Sequence, residues 1–472
     1  MLFMSSLIVV SVSASLAPRH IHLATLNKTA TSVTYTTDWS DKPFIGGISL
    51  VEYGQVDVSY PPTTTNCGFN NTFQVPIAYD ETSEFIYANI SHNLTIHEAI
   101  MTDLIPSTEY SYRVGNDVDG WSSTFTFRSL PTTDDPSPVT FALVGDWGIH
   151  DNSATTLPAL ENELKSNSID AVIHVGDIAY DMDLIRGKVG DDFMEAIEPI
   201  ASAIPYMACP GNHEFNYNFT AFTHRFSGLP HPSTPPYDKI PASLGTNVGG
   251  KKNNWFYSFD FKNVHFVSLS TELVVDILDV TNTSRYGFNY PDLTTFQHDW
   301  LTQDLKSNSL NPETEWLIVY SHRPMYCSCN DDDCDGDHAD AVRNGVPGNT
   351  AAGLEQTFKK YGVDIYVSGH MHMYERLLPV FQNVSDPLDY SPDMRTMTNP
   401  SAPVHIITGA GGNPEGTDGF PNTTTLPFSA VRAPEWSYSK MIVHNATHLH
   451  WQQIGVAGES ELVDTMWIVK DI

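Results

Sequence analysis

Residues 141–148 read Phe-Ala-Leu-Val-Gly-Asp-Trp-Gly, a run of strand-type apolar residues followed at once by a turn-like motif with an aspartate. The pattern recurs at 171–180, which read Ala-Val-Ile-His-Val-Gly-Asp-Ile-Ala-Tyr. In an α/β sheet, polar side chains that follow the carboxyl ends of strands meet in one cleft. The two stretches therefore predict an α/β fold that delivers Asp146, Asp177 and Tyr180 to a common site.

Three further motifs extend this pattern. Gly211-Asn212-His213-Glu214 follows an apolar run that ends at Cys209, Ser321-His322 follows residues 317–320, and Gly369-His370-Met371-His372 follows residues 363–367. If one carboxylate bridges, seven protein ligands give four to each of two metals and leave positions for water and substrate. The seven candidate metal ligands are Asp146, Asp177, Tyr180, Asn212, His322, His370 and His372.

Each motif taken alone has a simpler interpretation. A lone Gly-Asp-x-Gly is commonly a turn, because Gly and Asp suit positive φ and local hydrogen bonds. Residues 212–214 could cap a helix, and a His-x-His pair could lie on a polar strand face. Five motifs in a fixed order, each behind an apolar run, favour a two-metal site over five separate structural roles.

The motifs GDxG, GDxxY, GNHE, VxxH and GHxH resemble those of the purple acid phosphatases, within the calcineurin-like metallophosphoesterases. Tyr180 narrows the resemblance, because most other metallophosphoesterases lack it. It continues at 254–260, 265–272 and 405–412, and residues 321–327 are most similar to the animal type 7 acid phosphatases. The implied architecture is an α/β two-sheet metallophosphoesterase sandwich with the metals at one edge.

The resemblance also implies how the ligands divide between the two metals, which spacing alone does not assign. An oxygen-rich, anionic set suits Fe(III), and a set richer in imidazole suits Zn(II), Mn(II) or Fe(II). The implied Fe(III) ligands are Asp146, Asp177, Tyr180 and His372. The implied ligands of the divalent metal are Asp177, Asn212, His322 and His370.

The activity expected from this resemblance is that of a secreted acid phosphatase. It would hydrolyse small phosphate monoesters by in-line attack of a hydroxide activated at the Fe(III)–M(II) centre. His213, adjacent to Asn212, is the candidate to direct an imidazole at the phosphate or the leaving oxygen. A hydrogen bond within the core is its simpler role.

The acid that protonates the leaving group is left open. Related plant enzymes carry a His pair after the fourth motif, where this chain has the acidic stretch 330–333. His338 is the first candidate, because an imidazole is protonated at pH 5, and Asp332 is the second. His338 could equally be a solvated loop residue.

Two other functions are weighed. The same core could serve a phosphodiesterase or nucleotide pyrophosphatase, although the acidic stretch 330–333 could repel polyanions such as nucleotides. The chain could instead be a secreted binding glycoprotein whose metal site is structural. Retention of all seven candidate ligands and of His213 counts against that alternative.

The composition is that of a globular protein with an acidic surface. Among 472 residues, 41% are hydrophobic, and 56 acidic residues against 24 basic ones give a net charge of −32. This imbalance argues against nucleic acid or an anionic membrane as a partner. The oligomeric state is not assigned by the sequence.

The first residues predict export. Residues 1–17 combine a short apolar stretch with small residues, as in a secretory signal peptide, although the basic start is missing and a short buried strand is the alternative. No later stretch is long enough for a transmembrane helix. We therefore expect a lumenal or extracellular, N-glycosylated protein. The glycosylation sequons begin at Asn27, Asn70, Asn89, Asn93, Asn218, Asn282, Asn383, Asn422 and Asn445.

The chain has five cysteines, three of them in one loop. Cys327 and Cys334 are the preferred disulfide, because they would close a small loop beside the site. A zinc site that uses the three loop cysteines and His338 is the alternative. Cys209 lies in an apolar run and is predicted to be a buried free thiol.

Domain boundaries follow from changes in pattern. Residues 18–130 alternate polar and apolar residues in short segments, which predicts an all-β, fibronectin type III-like sandwich. Residues 131–138 form a Pro-rich linker, 139–430 the catalytic domain and 431–472 a β segment that completes it. Predicted helices cover 157–166, 191–200, 293–306 and 354–361. His448 and His450 alternate with apolar residues and are predicted to lie on a polar strand face.

Overall fold

A computed structural model describes residues 17–39, 49–56, 63–66, 70–74, 93–117, 120–233, 236–240, 252–275, 290–346, 353–421, 426–456 and 461–471. The predicted signal peptide, except for its last residue, lies outside this part of the chain. Among the described residues no helix combines the length and the apolar character that crossing a membrane requires.

The N-terminal part is all β, as predicted. Its described strands form one antiparallel sheet in the order β1-β2-β6-β5 and a second in the order β4-β3-β7-β8, with β9 paired to β7. Alternate side chains of β7 are buried, and Val33, Tyr35, Val51 and Tyr112 meet between the sheets. The strands are β1 (Arg19–Asn27), β2 (Ala30–Trp39), β3 (Leu50–Gln55), β4 (Thr63–Asn66), β5 (Asn70–Gln74), β6 (Asn93–Met101), β7 (Glu109–Asn116), β8 (Gly120–Trp121) and β9 (Phe125–Arg128).

The larger part is an α/β sandwich whose two sheets each contain seven described strands. One sheet has the order β12-β11-β10-β21-β22-β23-β18 and the other β13-β14-β15-β16-β19-β17-β20. The strands are β10 (Val139–Val144), β11 (Ala171–Val175), β12 (Tyr206–Cys209), β13 (Tyr257–Phe261), β14 (Val264–Ser268), β15 (Trp316–Tyr320), β16 (Ile365–Ser368), β17 (Tyr374–Leu377), β18 (Thr396–Thr398), β19 (Val404–Thr408), β20 (Ser429–Ala433), β21 (Ser437–Val443), β22 (His448–Gly455) and β23 (Glu461–Val469).

Helices flank these sheets at the predicted places. The predicted helix at 191–200 is longer than expected and begins at Lys188, after Gly187 in a left-handed conformation. The helices are α1 (Thr156–Lys165), α2 (Lys188–Ala201), α3 (Asn216–Arg225), α4 (Glu272–Val275), α5 (Tyr290–Asn308), α6 (Asp332–Asp335), α7 (Asp337–Asn344) and α8 (Glu355–Tyr361).

The two sheets pack face to face through large apolar side chains. Phe141 of β10 meets Phe261 of β13 and Phe266 of β14, with ring centroids 5.0 and 4.8 Å apart. Strands β10, β11 and β12 are parallel, as are β14, β15, β16 and β19. All five residues of β15 are buried, because both faces of a central parallel strand are covered. The ends of these parallel strands meet at one edge of the sandwich.

The C-terminal segment joins the first sheet. Strand β21 pairs antiparallel with β10, and β22 and β23 extend the sheet outward. The predicted polar strand face is present at His448, which is exposed, whereas His450 is half-buried and stacks on Trp467 with ring centroids 4.2 Å apart. Asp464 of β23 forms a buried ion pair with Arg376 of β17, so the segment is tied to the other sheet as well.

One predicted strand start differs from the structure. Residues 363–367 have the apolar pattern of a strand, but β16 begins only at Ile365. Gly362 ends α8 in a left-handed conformation, and the Val363 N–H donates to the Phe358 carbonyl to close the helix end. Val363 therefore belongs to the helix cap.

The sequons differ in exposure. Asn27, Asn383 and Asn445 are exposed, as a glycan requires. Asn218 is 1% exposed and lies within α3, so the prediction of a glycan at this sequon is wrong for the folded protein. Asn89, Asn282 and Asn422, and the side chains of Asn70 and Asn93, lie outside the described residues.

Candidate metal centre

Loops from both sheets deliver the candidate ligands to one edge of the sandwich. Several of these loop residues have φ in the left-handed region: 55° at Asp146, 51° at Asp177, 54° at Tyr180 and 68° at His370. Such conformations cost about 1–3 kcal/mol each in residues other than glycine and cluster at functional sites. The backbone is therefore held in strained turns at the points where the candidate ligands are presented.

Four side chains form one corner of the site. His322 Nε2 lies 2.9 Å from Asn212 Oδ1 and 3.2 Å from Asp177 Oδ2. His322 Nδ1 donates to the Val175 carbonyl over 3.0 Å, which leaves Nε2 unprotonated when the imidazole is neutral. Ligand atoms of Asp177, His322 and His370 all lie within 4.8 Å of one another. This corner matches the set expected for the divalent metal.

The second corner contains more oxygen atoms. His372 Nε2 lies 3.0 Å from the Tyr180 hydroxyl and 3.4 Å from Asp146 Oδ1. Asp146 is fully buried; its Oδ2 accepts from the His370 N–H over 2.9 Å, but its Oδ1 has no hydrogen-bond partner. A buried carboxylate oxygen without a partner is costly unless a cation binds it. The donor set therefore fits a hard metal ion at this point.

The electrostatics of the cluster also favour cations. Burial opposes the charge on His322, but the carboxylate of Asp177 outweighs it and raises the pKa to about 9. Burial, together with the carboxylates of Asp146 and Asp177, raises the pKa of the Tyr180 phenol far above its usual range. Protons thus compensate the buried carboxylates in the metal-free protein. Metal cations at the same place would displace these protons.

Two glycines allow the loops to approach each other. A Cβ at Gly211 would lie 2.3 Å from Asp177 Oδ1, and one at Gly369 would lie 2.4 Å from Asp146 Oδ2. Both distances are far shorter than any van der Waals contact. Glycine at the start of the GNHE and GHMH motifs is therefore explained by the close packing of the candidate ligands.

His213 lies beside the two corners. Its backbone N–H donates to Asp177 Oδ1 over 3.0 Å, its Nδ1 is 3.1 Å from Asp181 Oδ1, and its ring centroid is 4.4 Å from that of Tyr180. Burial opposes its charged form, but Asp177 and Asp181 outweigh burial and raise the pKa to about 10. The side chain is 19% exposed, so His213 presents a cationic imidazole at the mouth of the site.

The predicted leaving-group candidates lie beside this site on two short helices, Asp332 in α6 and His338 in α7, so His338 is not the solvated loop residue considered as its alternative. His338 Nδ1 is 2.6 Å from Asp333 Oδ1, and Asp333 Oδ2 is 2.8 Å from His370 Nε2. His338 is therefore linked to the candidate ligand His370 through Asp333. The side chain of Asp332 lies outside the described residues.

The cysteine loop is resolved in favour of the disulfide. Cys327 and Cys334 are bonded, as predicted, and their Cα atoms are 5.3 Å apart. The Sγ atoms of Cys327, Cys329 and Cys334 lie within 4.8 Å of one another, as the alternative zinc site requires, but the disulfide uses two of these thiols and His338, its fourth candidate ligand, contacts Asp333 instead. Cys209 is a buried free thiol, as predicted, and Cys329 is a second one.

Sequence reasoning missed several residues that shape the site. Glu214 accepts from the backbone N–H groups of Ile178 and Gly211, both over 2.8 Å, and so ties two of the loops together. Asp418 accepts from the His372 N–H over 2.6 Å, and Glu415, 54% exposed, lies 3.8–3.9 Å from His372 and His213. Glu214 stands inside a recognised motif. Glu415 and Asp418 follow no apolar run, so pattern analysis has no signal for them.

Family comparisons cover almost the whole described chain. The calcineurin-like phosphoesterase model matches residues 139–374, the purple acid phosphatase N-terminal domain model residues 18–129, and the iron/zinc purple acid phosphatase-like C-terminal model residues 402–465.

Individual relatives agree with these matches. Human acid phosphatase type 7 is 37% identical over 389 residues, covering 81% of this chain and 79% of its own length. The mouse protein of the same name is 35% identical and covers 96% of this chain and 91% of its own length. Purple acid phosphatase 21 of Arabidopsis thaliana is 25% identical, covering 92% and 80%.

A solved structure shares the fold. The purple acid phosphatase from seeds of yellow lupin, Lupinus luteus, superimposes with a TM-score of 0.72 at 22% identity, covering 96% of this chain and 75% of its own. At that identity the match concerns the architecture. It agrees with the all-β domain and two-sheet α/β core described above.

Proposed function

Because this chain belongs to the purple acid phosphatase family and is an acid phosphatase, we propose that it is a secreted or lumenal phosphomonoesterase with an Fe(III)–M(II) centre. The observation that carries the proposal is that the seven candidate ligands lie in two adjoining clusters, one of which contains the buried Asp146 with its unpartnered Oδ1. A structural metal site would not need a neighbouring cationic imidazole at its mouth, as His213 supplies.

The two corners divide the metals by hardness. Asp146, Tyr180 and His372 form the oxygen-rich side that suits Fe(III), and Asn212, His322 and His370 form the side that suits Zn(II), Mn(II) or Fe(II), with Asp177 shared. When bound, the pair supplies Lewis acidity that makes water nucleophilic in acid and neutralises charge on the phosphoryl group.

Residues of the chain itself supply binding and proton transfer. Burial opposes the charge on His213, but Asp181 lies 3.1 Å from its Nδ1 and favours the charged form, and an imidazole is ordinarily protonated at pH 5, so the ring attracts the phosphate dianion or monoanion. Its Nδ1 is held by Asp181, whereas its Nε2 lies 3.9 Å from both Asp177 Oδ2 and Glu415 Oε1, beyond hydrogen-bond distance, and can face substrate. The Nε2–H of His213 can donate a proton to the leaving oxygen. His338, in the neighbouring helix α7, is the alternative proton donor.

The carboxylates at the mouth of the site disfavour substrates with several phosphates. Glu415 is 54% exposed and lies 3.9 Å from His213 Nε2, and Asp181 and Asp333 are partly exposed nearby. These carboxylates would repel substrates with several phosphates. The nucleotide pyrophosphatase alternative is therefore disfavoured, whereas a phosphodiester carries a single negative charge and is separated from a monoester by the substrate panel below.

A substrate panel tests this proposal. Metal-loaded protein at pH 5 is expected to release phosphate from p-nitrophenyl phosphate much faster than nitrophenol from bis-p-nitrophenyl phosphate. His213→Ala should raise KM for the monoester and lower kcat, while His224→Ala, a half-buried histidine of α3 that contacts the Thr220 carbonyl, serves as a control. Faster turnover of the diester would reject the monoesterase proposal, and no turnover of either ester with two metals bound would reject the enzyme mechanism.

The proposed export has its own test. The predicted signal peptide at 1–17, the exposed Asn27, Asn383 and Asn445, and the disulfide all suit an oxidising secretory compartment. Mass spectrometry of protein expressed in a secreting eukaryotic cell should find a mature chain that begins near residue 18, with glycans on exposed sequons and none on Asn218. An intact N-terminus without glycans would contradict export.

A further inference from the structure

A carboxylate outside the seven candidate ligands contacts one of them directly. Asp333 Oδ2 lies 2.8 Å from His370 Nε2 and 2.7 Å from Arg323 Nη1. Arg323 Nη1 is itself 2.9 Å from His370 Nε2. The same imidazole nitrogen therefore faces one group that only accepts hydrogen bonds and one that only donates them.

These two neighbours favour opposite tautomers of the imidazole. If Nε2 carries the proton and donates to Asp333, Nδ1 of His370 has a free lone pair and can bind a metal. If Nε2 accepts from Arg323, the proton of the neutral ring lies on Nδ1, which then cannot bind a metal. A metal-binding histidine commonly donates its other N–H to a carboxylate, which fixes the required tautomer.

Asp333 is held firmly at the position where it and Arg323 both contact the Nε2 of His370. Its backbone N–H donates to Asp331 Oδ1 over 2.8 Å, and its other carboxylate oxygen lies 2.6 Å from His338 Nδ1. The neighbouring Cys334 is bonded to Cys327, which anchors the short helix α6 to the loop that follows His322. The disulfide thus anchors the backbone next to Asp333, and noncovalent contacts with Arg323, His370 and His338 hold its carboxylate.

Arg323 is fixed as well. Its Nε lies 3.0 Å from both carboxylate oxygens of Glu272, which is fully buried, and Arg323 is only 7% exposed. The guanidinium therefore stays beside His370 when Asp333 is removed. Without the carboxylate, Arg323 would be the remaining charged neighbour of Nε2 and would donate to it.

We propose that Asp333 is a positioning residue that selects the metal-binding tautomer of His370 against the competing guanidinium of Arg323. The inference rests on the binuclear centre proposed above and assigns a role to the acidic stretch 330–333. The first role of His338 is then to help hold Asp333 in place, because the Nδ1 of His338 contacts the other carboxylate oxygen of Asp333.

Divalent-metal affinity tests the inference without relying on turnover. The variants are Asp333→Ala, Asp333→Asn and, as a charge-matched control at the start of the neighbouring helix α7, Asp337→Asn, whose side chain is exposed. Zn(II) affinity is measured on iron-loaded protein by competition with a chelator. Asp333→Ala should weaken Zn(II) binding about 10- to 100-fold, the range typical of outer carboxylate partners of metal-bound histidines.

The isosteric variant and the iron spectrum separate positioning from general damage. Asp333→Asn keeps an oxygen that can accept from Nε2–H, so its loss should be smaller than that of Asp333→Ala, and Asp337→Asn should match the wild type. The visible absorption of the iron site should persist in all variants, and kcat should recover at saturating Zn(II). Unchanged Zn(II) affinity in Asp333→Ala, or equal loss of iron absorption and Zn(II) in both Asp333 variants, would overturn the inference. Wild-type protein that binds fewer than two metals would overturn it together with the proposed function.

Discussion

Replacing Asp464 by alanine tests whether the C-terminal segment is an integral part of the catalytic core. Asp464 Oδ2 accepts from Arg376 Nε over 2.6 Å and from the Tyr374 hydroxyl over 2.8 Å, and Oδ1 lies 3.1 Å from Arg376 Nη2. The side chains of Arg376 and Asp464 are 1% and 3% exposed. The replacement would leave a guanidinium buried without its counter-charge.

The expected loss is large. Breaking a buried ion pair by removing one partner costs about 3–5 kcal/mol, whereas exposed substitutions usually stay within about 0.5 kcal/mol. Asp471→Ala is a matched control, because Asp471 also accepts a side-chain hydrogen bond in the same tail, from Asn399, but is exposed. Strand β17 directly follows the loop that carries the candidate ligand His372. Asp464→Ala should therefore also release metal at a lower urea concentration than the wild type.

Urea unfolding followed by tryptophan fluorescence measures the effect, since Trp316 and Trp451 are buried in the catalytic core. The free energy of unfolding of Asp464→Ala should fall by about 3–5 kcal/mol relative to the wild type, and that of Asp471→Ala should change little. A loss in Asp464→Ala no larger than in Asp471→Ala would refute the reasoning. The pairing of β23 with the core would then contribute little to stability.

Three further predictions address the site and the fold. Tyr180→Phe should abolish the violet charge-transfer colour of iron-loaded protein while the other ligands still hold metal; a colourless wild type would reject the phenolate ligand. Burial opposes the charge on His265, but hydrogen bonds to Asp260 and Asp304 raise its pKa from 6.5 to about 9. The contribution of protonated His265 to the stability of the folded protein is therefore complete below pH 6.5 and is lost as pH rises through 9. The unfolding free energy should fall by at most about 3 kcal/mol over that window in the wild type and stay flatter in His265→Gln, and equal slopes would contradict this. His338→Ala should slow hydrolysis of alkyl phosphates far more than of p-nitrophenyl phosphate, and equal effects on both would remove His338 as the leaving-group acid.

The candidate ligands could be predicted because each one follows a strand that the sequence reveals. Central parallel strands such as β15 are buried on both faces, so they appear as continuous apolar runs, and the polar residue at the end of each run marks the site. The motif glycines are equally visible, because the loops pack too closely for a Cβ at Gly211 or Gly369.

Residues that act through tertiary contacts were not predictable in the same way. The contact between Asp333 and His370 spans 37 positions, and the register of β21 on β10 joins residues about 300 positions apart. Neither arises from a local pattern. The error at Asn218 has a similar origin, since a sequon of three residues carries no information about the packing of α3 against the core.

Stepwise metal reconstitution tests the central claim most directly. Phosphate release from p-nitrophenyl phosphate at pH 5 is measured while metal-free protein receives iron and then zinc, with bound metal determined by elemental analysis. The account predicts a rate near background with one metal per chain and full activity only when the second site fills. Full activity with a single metal, or no activity with both sites filled, would contradict it.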